Sequence, residues 1–184
     1  MKQFFTLLLI ISSLGSIAQT KVGDVELPNE MAIKDNQMQL QGTGTRVKLW
    51  MDMYAMGLYI NKKMSNADEI INTNECMGIR LEIISGLITS EKMEKATREG
   101  FKNATKGNTD PITKEIEEFI TVFSDKIEKK DVFEFVYSSE EGTLLYKNDE
   151  LKKTIKGLNF KKALFGIWLC DKPADKNLKA SLLK

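Results

Sequence analysis

Histidine is absent from the 184 residues, cysteine occurs twice and proline three times. Each shortage closes off a class of function. Without imidazole there is no Ser-His-Asp or Cys-His nucleophile, no His-ligated zinc, and no general acid or base that ordinarily titrates near neutrality. Proton chemistry is left to Tyr, Lys, Glu, Asp or Cys. Cys76 and Cys170 lie far apart and form no Cys-x-x-Cys pair, so neither a metal cluster nor a disulfide framework has its material. A single bridge between them and two solitary thiols both stay open, because spacing does not reveal Cα approach. Few prolines and 12 glycines speak against a collagen-like or low-complexity chain. An excess of one charge is also lacking, with 27 Lys and Arg against 26 Asp and Glu. That balance denies the basic footprint by which a nucleic-acid binder displaces counterions. What remains, 42% hydrophobic and 29% charged residues, suits one globular domain with a real core.

The N-terminus reads as an address. Lys2 precedes an apolar run from Phe4 to Ile11, and Ser16-Ile17-Ala18 then supplies a small-x-small cleavage site, which predicts a signal peptide over residues 1–18 and a domain over 19–184. The run falls short of the roughly 20 residues a spanning helix needs. The expected protein is therefore exported, periplasmic or secreted, with no transmembrane segment in the mature chain. Cleavage would remove Lys2 and no acid, leaving an even charge balance.

Alternation of apolar and polar residues from Val22 to Ile60, and again over Ile79–Ile83, predicts strands, with Asn61-Lys62-Lys63 ending the first series. Asn66 can cap a short helix that turns Ile70 and Ile71 inward. Ser90 is the expected cap of a longer helix whose Met93, Ala96, Thr97, Gly100, Phe101 and Ala104 share a face. Asp110-Pro111 predicts the start of another, with Ile112, Ile116, Phe119, Ile120, Phe123 and Ile127 recurring at helical period. Three short strands over 132–137, 143–147 and 151–156 form a meander. A helix through Phe160 and Trp168 follows, and Asp175 caps a last short one. The order predicts an α+β domain, helices on one face of an antiparallel sheet.

Three segments together carry a resemblance: Gly42-Thr43-Gly44-Thr45-Arg46, Tyr54-Ala55-Met56-Gly57-Leu58-Tyr59-Ile60, and the closing run from Phe160 through Ile167-Trp168-Leu169-Cys170-Asp171-Lys172-Pro173. They resemble the exported bacterial branch of the chalcone isomerase-like family. The resemblance implies an open-faced β-sandwich, a large antiparallel sheet with a helical layer on one face and a ligand cleft between. That fold hosts plant enzymes that cyclise chalcones, plastid proteins that bind fatty acids, and non-catalytic auxiliary proteins. By resemblance, Arg46 stands where the enzymes place an Arg, after a Gly-x-Gly turn, against a phenolate oxygen. Tyr54 stands where they carry a Thr. Their Tyr-x-x-Lys-x-x-x-Asn pattern maps onto Thr89, Lys92 and Ala96, which retains only the Lys. An Arg and Tyr pair resembles the fatty-acid-binding branch, where it holds a carboxylate, and a guanidinium fork with a phenol suits that group.

The expected site is thus Arg46, Tyr54, Thr89 and Lys92, with no cofactor and no metal. The expected role is non-catalytic binding of a small hydrophobic anion such as a fatty acid. The alternative is an isomerase (intramolecular lyase) in which Arg46 steadies a developing oxyanion, and a third reading is an interaction protein whose own side chains fill the cleft. Taken singly, Arg46 also suits a surface ion pair. Tyr54, Tyr59, Trp50 and Trp168 suit core packing, and Lys92, Lys129-Lys130 and Lys161-Lys162 suit solvated faces. Strand parity sets Arg46 with Lys48 and Trp50, and Tyr54 with Met56, Leu58 and Ile60. It leaves open whether those two faces are the same.

Overall fold

A computed structural model describes residues 19–184; the signal peptide expected over 1–18 lies outside the described residues. A hairpin of β1 (Gln19–Val22) and β2 (Val25–Pro28) stands apart from a seven-stranded antiparallel sheet. The sheet runs in chain order: β3 (Glu30–Ile33), β4 (Asn36–Lys48), β5 (Met51–Ile60), β6 (Met77–Ile83), β7 (Val132–Ser138), β8 (Gly142–Lys147) and β9 (Glu150–Ile155). Helix α1 (Ala67–Asn72) joins β5 to β6, while α2 (Ser90–Ala104) and α3 (Thr113–Ile120) join β6 to β7. After β9 the chain closes with α4 (Leu158–Leu169) and α5 (Lys176–Leu182). This is the expected α+β architecture of one large sheet with a helical layer.

Period-two alternation makes the layering. Tyr54, Met56, Leu58 and Ile60 of β5 join Ile79 and Leu81 of β6 and Phe133 and Phe135 of β7 in one core beneath the helices. Residues of opposite parity, Tyr59 and Val136, pack with Met31, Ile33 and Met38 on the other face. There the sheet curls until Met31 of β3 overlies Gly78 of β6 so closely that a Cβ on Gly78 would sit 2.2 Å from its sulfur. The β1–β2 hairpin covers Ala55 on that same face.

Helix ends follow local chemistry, with two shifts from expectation. Asn66 caps α1 by accepting from the amides of Asp68 and Glu69. For α2 the cap is Thr89 rather than Ser90: the Thr89 hydroxyl accepts from the Lys92 amide at 3.3 Å, while Ser90 Oγ donates to the Asp125 carbonyl. The helix expected from Asp110 onward is three pieces, a 3-10 turn at Asp110–Ile112, α3, and a second 3-10 turn at Thr121–Phe123. Pro111 lies in the first of these and Asp110 makes no side-chain cap. Ile127 is buried from a loop instead of a helix.

Three further expectations change. Gly42 and Gly44 form no turn; they lie inside β4, where α5 crosses it. A Cβ at Gly42 would fall 2.4 Å from the Ser181 carbonyl oxygen, and one at Gly44 would fall 3.1 Å from Leu178. The missing side chains are what let the helix lie on the strand. Trp50 is 95% exposed, at the tip of the β4–β5 hairpin, and is no core residue. Lys161 is fully buried: its ammonium donates to the carbonyls of Ile70, Ile71 and Thr73 at 2.9, 3.0 and 2.8 Å. It therefore closes the C-terminal end of α1, whose last carbonyls have no intrahelical partner. Cys76 and Cys170 are free, half-buried thiols.

Candidate functional site

Arg46 and Tyr54 are cross-strand partners in the β4–β5 register, and the guanidinium carbon stands 5.8 Å from the centre of the phenol ring. A shift in register makes them so. Val47 faces Asp52 and Lys48 faces Met51, but Arg46 faces Tyr54, so Met53 is an extra residue on β5. The Met53 carbonyl accepts from both Ile84 and Ser85 amides, which anchors that bulge to the chain beyond β6. Without the bulge Arg46 would oppose Met53, and Tyr54 would turn to the other face.

Tyr54 is 3% exposed, and its hydroxyl accepts from the indole Nε1 of Trp168 at 2.9 Å. Burial raises its pKa above the ordinary phenol value, making it a weaker acid, against the pull of the nearby Arg46 charge and the Trp168 hydrogen bond. The group is thus a neutral phenol whose O–H remains to be donated. Asp175, the nearest acid to act on Tyr54, is spent on structure: one oxygen caps α5 through the Asn177 and Leu178 amides, and the other accepts from the Val47 amide. Among the described residues no carboxylate oxygen comes within 4.0 Å of the Arg46 guanidinium, whereas Arg80 on the other face of the sheet is paired with Glu134 at 2.5 Å.

Arg46 and Tyr54 sit where two spaces meet. Inward lies a chamber of about 30 Å³ walled by Phe119, Phe123, Phe133, Phe135, Ile167 and Trp168. Its ionisable lining is Arg46 and Tyr54 alone. That volume holds about two water-sized groups. Outward lies a groove of about 370 Å³ between β4, β5 and α2, with Met53, Ile88, Met93, Ala96 and Ala174 as apolar floor. Its charged rim is Arg46, Lys48, Lys92 and Lys95 against Glu99.

Of the expected residues, the structure brings together Arg46, Tyr54 and Lys92, the last on the groove rim with its ammonium donating to the Leu87 carbonyl at 2.9 Å. Thr89 lines neither space and caps α2. Ala96 borders both, so a methyl group stands where the enzyme pattern has an amide. Sequence reasoning missed Lys48 and Lys95 on the rim and the Trp168 bond to Tyr54. The first two had a signal: Lys95 follows Lys92 by three helical positions, and Lys48 shares strand parity with Arg46. The third had none. Arg46 and Tyr54 both present hydrogen-bond donors where the two spaces meet. Tyr54, held protonated, is a poor base, and the chamber offers no other titrating group.

A family model described as chalcone isomerase-like matches residues 19–184. The chain belongs to the chalcone isomerase-like family. Among solved structures, a fatty-acid-binding protein of Arabidopsis thaliana superposes with a TM-score of 0.67 at 16% identity, covering 86% of this chain and 91% of that one. Such identity speaks for the fold that chalcone isomerase-like proteins share. No curated protein matches the chain in sequence. Among the described residues, no helix is long and apolar enough to cross a membrane, and no three His, Cys, Asp or Glu residues gather as metal ligands.

Proposed function

We propose that this chalcone isomerase-like protein is an exported binder of a small amphipathic anion, such as a fatty acid, whose carboxylate is held by Arg46 and Tyr54. The observation that carries the reading is a guanidinium with no carboxylate partner among the described residues, beside a buried phenol where an apolar chamber meets the groove. The fatty-acid-binding title of the Arabidopsis thaliana relative agrees with it. A charge-assisted hydrogen bond contributes about 1.5 to 3 kcal/mol, and each buried methylene about 0.8 kcal/mol. The chamber admits only the first carbons of a chain, so the remainder lies along the groove floor. Arg46 selects charge and orientation; the groove sets how firmly the chain is held.

Titration calorimetry with decanoate tests the reading. Arg46→Ala should weaken binding about 10- to 150-fold, and native mass spectrometry of protein from its own host should show bound lipid. Unchanged affinity together with empty protein would overturn it. The lyase reading rests on the same guanidinium, which could steady a developing oxyanion without a base. Loss of chalcone absorbance above the uncatalysed rate, abolished in Arg46→Met, would be its mark.

A further inference from the structure

Two hairpins of the sheet use the same turn with opposite chemistry. Between β8 and β9 the turn is Asn148-Asp149, with φ of 51° and 65°, and Lys147 pairs with Glu150. Asn and Asp tolerate the left-handed region, so this is an economical choice. Between β4 and β5 the turn is Leu49-Trp50, with φ of 51° and 62°, and Lys48 pairs with Met51. Bulky side chains in that region are strained. They are also unburied, Leu49 at 69% and Trp50 at 95% exposure. Neither local conformation nor core packing accounts for them.

Their surroundings point to an occupant. Val47 and Met51 are exposed on the same tip at 48% and 41%, and Leu87, 48% exposed, lies on the groove wall with Lys48. Lys48, Lys92 and Lys95 stand on that wall, and Lys129 reaches Gly86, next to Leu87. The acids among them are Asp52, Glu99, Glu91 beside Lys92, and Asp175, whose carboxylate is already engaged by the Val47 amide and the start of α5. An apolar tip carrying Trp and Leu, with lysines on the groove wall beside it, matches the interface of a bilayer with anionic headgroups. We propose that the Leu49-Trp50 tip and Leu87 insert into the surface of an anionic lipid bilayer, with Lys48, Lys92 and Lys95 against the headgroups, so that the groove opens onto the membrane. The docking stands independently of which ligand the groove holds, and places the groove where an amphiphile can pass between bilayer and protein.

The test uses the full chain with vesicles of equal parts phosphatidylcholine and phosphatidylglycerol. Trp50 emission, read as the difference between wild type and Trp50→Phe so that the signal of the chamber residue Trp168 is subtracted, should shift to the blue and be quenched by brominated acyl chains. Leu49→Asn combined with Trp50→Gly installs a favoured turn. This variant should melt no lower than wild type yet sediment with the vesicles about tenfold less or worse. Its decanoate binding in solution should stay at the wild-type level, which separates this proposal from the ligand reading. Vesicles of phosphatidylcholine alone should hold wild type more weakly. Trp50 emission indifferent to vesicles, or equal sedimentation of the variant, would overturn the proposal. So would a wild-type dimer that becomes a monomer in the variant, since the tip would then be covered by a second copy.

Discussion

The two faces of the seven-stranded sheet treat the same residue type in opposite ways. On the face turned away from the helices, open except where β3, β4 and the β1–β2 hairpin fold over it, Arg80 meets Glu134 directly across β6 and β7, and both are 20% exposed. Beneath the helices Arg46 meets a phenol across β4 and β5, with no carboxylate oxygen within 4.0 Å of it among the described residues and the nearby Asp175 engaged by backbone amides. Lys161, also under the helices, is held by three backbone carbonyls. The open face closes its charge within the fold, and the helix-covered face keeps a cation available at a cleft. A paired arginine is structure; an arginine facing an apolar space without an acid has binding capacity left over.

Adjacent residues on β7 give the sharpest break between the faces. Phe135, 1% exposed, packs edge-on against Phe119 at 5.1 Å and stacks on Trp168, so Phe135→Ala should cost about 3 to 5 kcal/mol in urea unfolding. Val136→Ala, on the other face, should cost roughly 2 kcal/mol, and equal losses would dissolve the distinction. Next, Glu134→Ala strands a half-buried guanidinium and should cost about 1 to 3 kcal/mol, while Arg46→Ala, which strands no partner, should change stability by less than about 1 kcal/mol.

The third effect is a slope with pH. Burial, helped by Lys162, pushes the Lys161 ammonium down to about 7 from its ordinary 10.5, while the three carbonyls favour the charged form. Below about pH 7 the folded and unfolded states both carry the proton, and the contribution is constant. Between 7 and 10.5 the unfolded chain binds a proton that the folded chain lacks, so stability rises with pH by at most about 1.4 kcal/mol per unit. Urea midpoints measured from pH 7 to 10 should climb in wild type relative to Lys161→Met. Parallel curves would mean that the carbonyls hold the lysine charged throughout.

How much of this was legible in the sequence differs by feature. Strand and helix positions followed from periods of two and 3.6, and the Asn66 and Asp175 caps were readable because a cap is a local bond. The chalcone isomerase-like resemblance gave the fold and pointed to Arg46 and Tyr54. It also pointed to Thr89, which the structure uses as a helix cap instead. Lys161 looked like its neighbour Lys162, since nothing near it in the chain announces the open end of α1 about 90 residues earlier.

The sequence by itself determined which segments alternate, which are amphipathic, and that no imidazole chemistry is available, because those properties depend on residue types and near neighbours. Only the tertiary structure decided that Arg46 and Tyr54 share a face. Parity along each strand is local, but the relation between strands depends on the turn at Leu49-Trp50 and on the one-residue bulge at Met53. A slip of one position would have sent Tyr54 to the open face beside Ala55's present neighbours and left the cleft with its arginine alone.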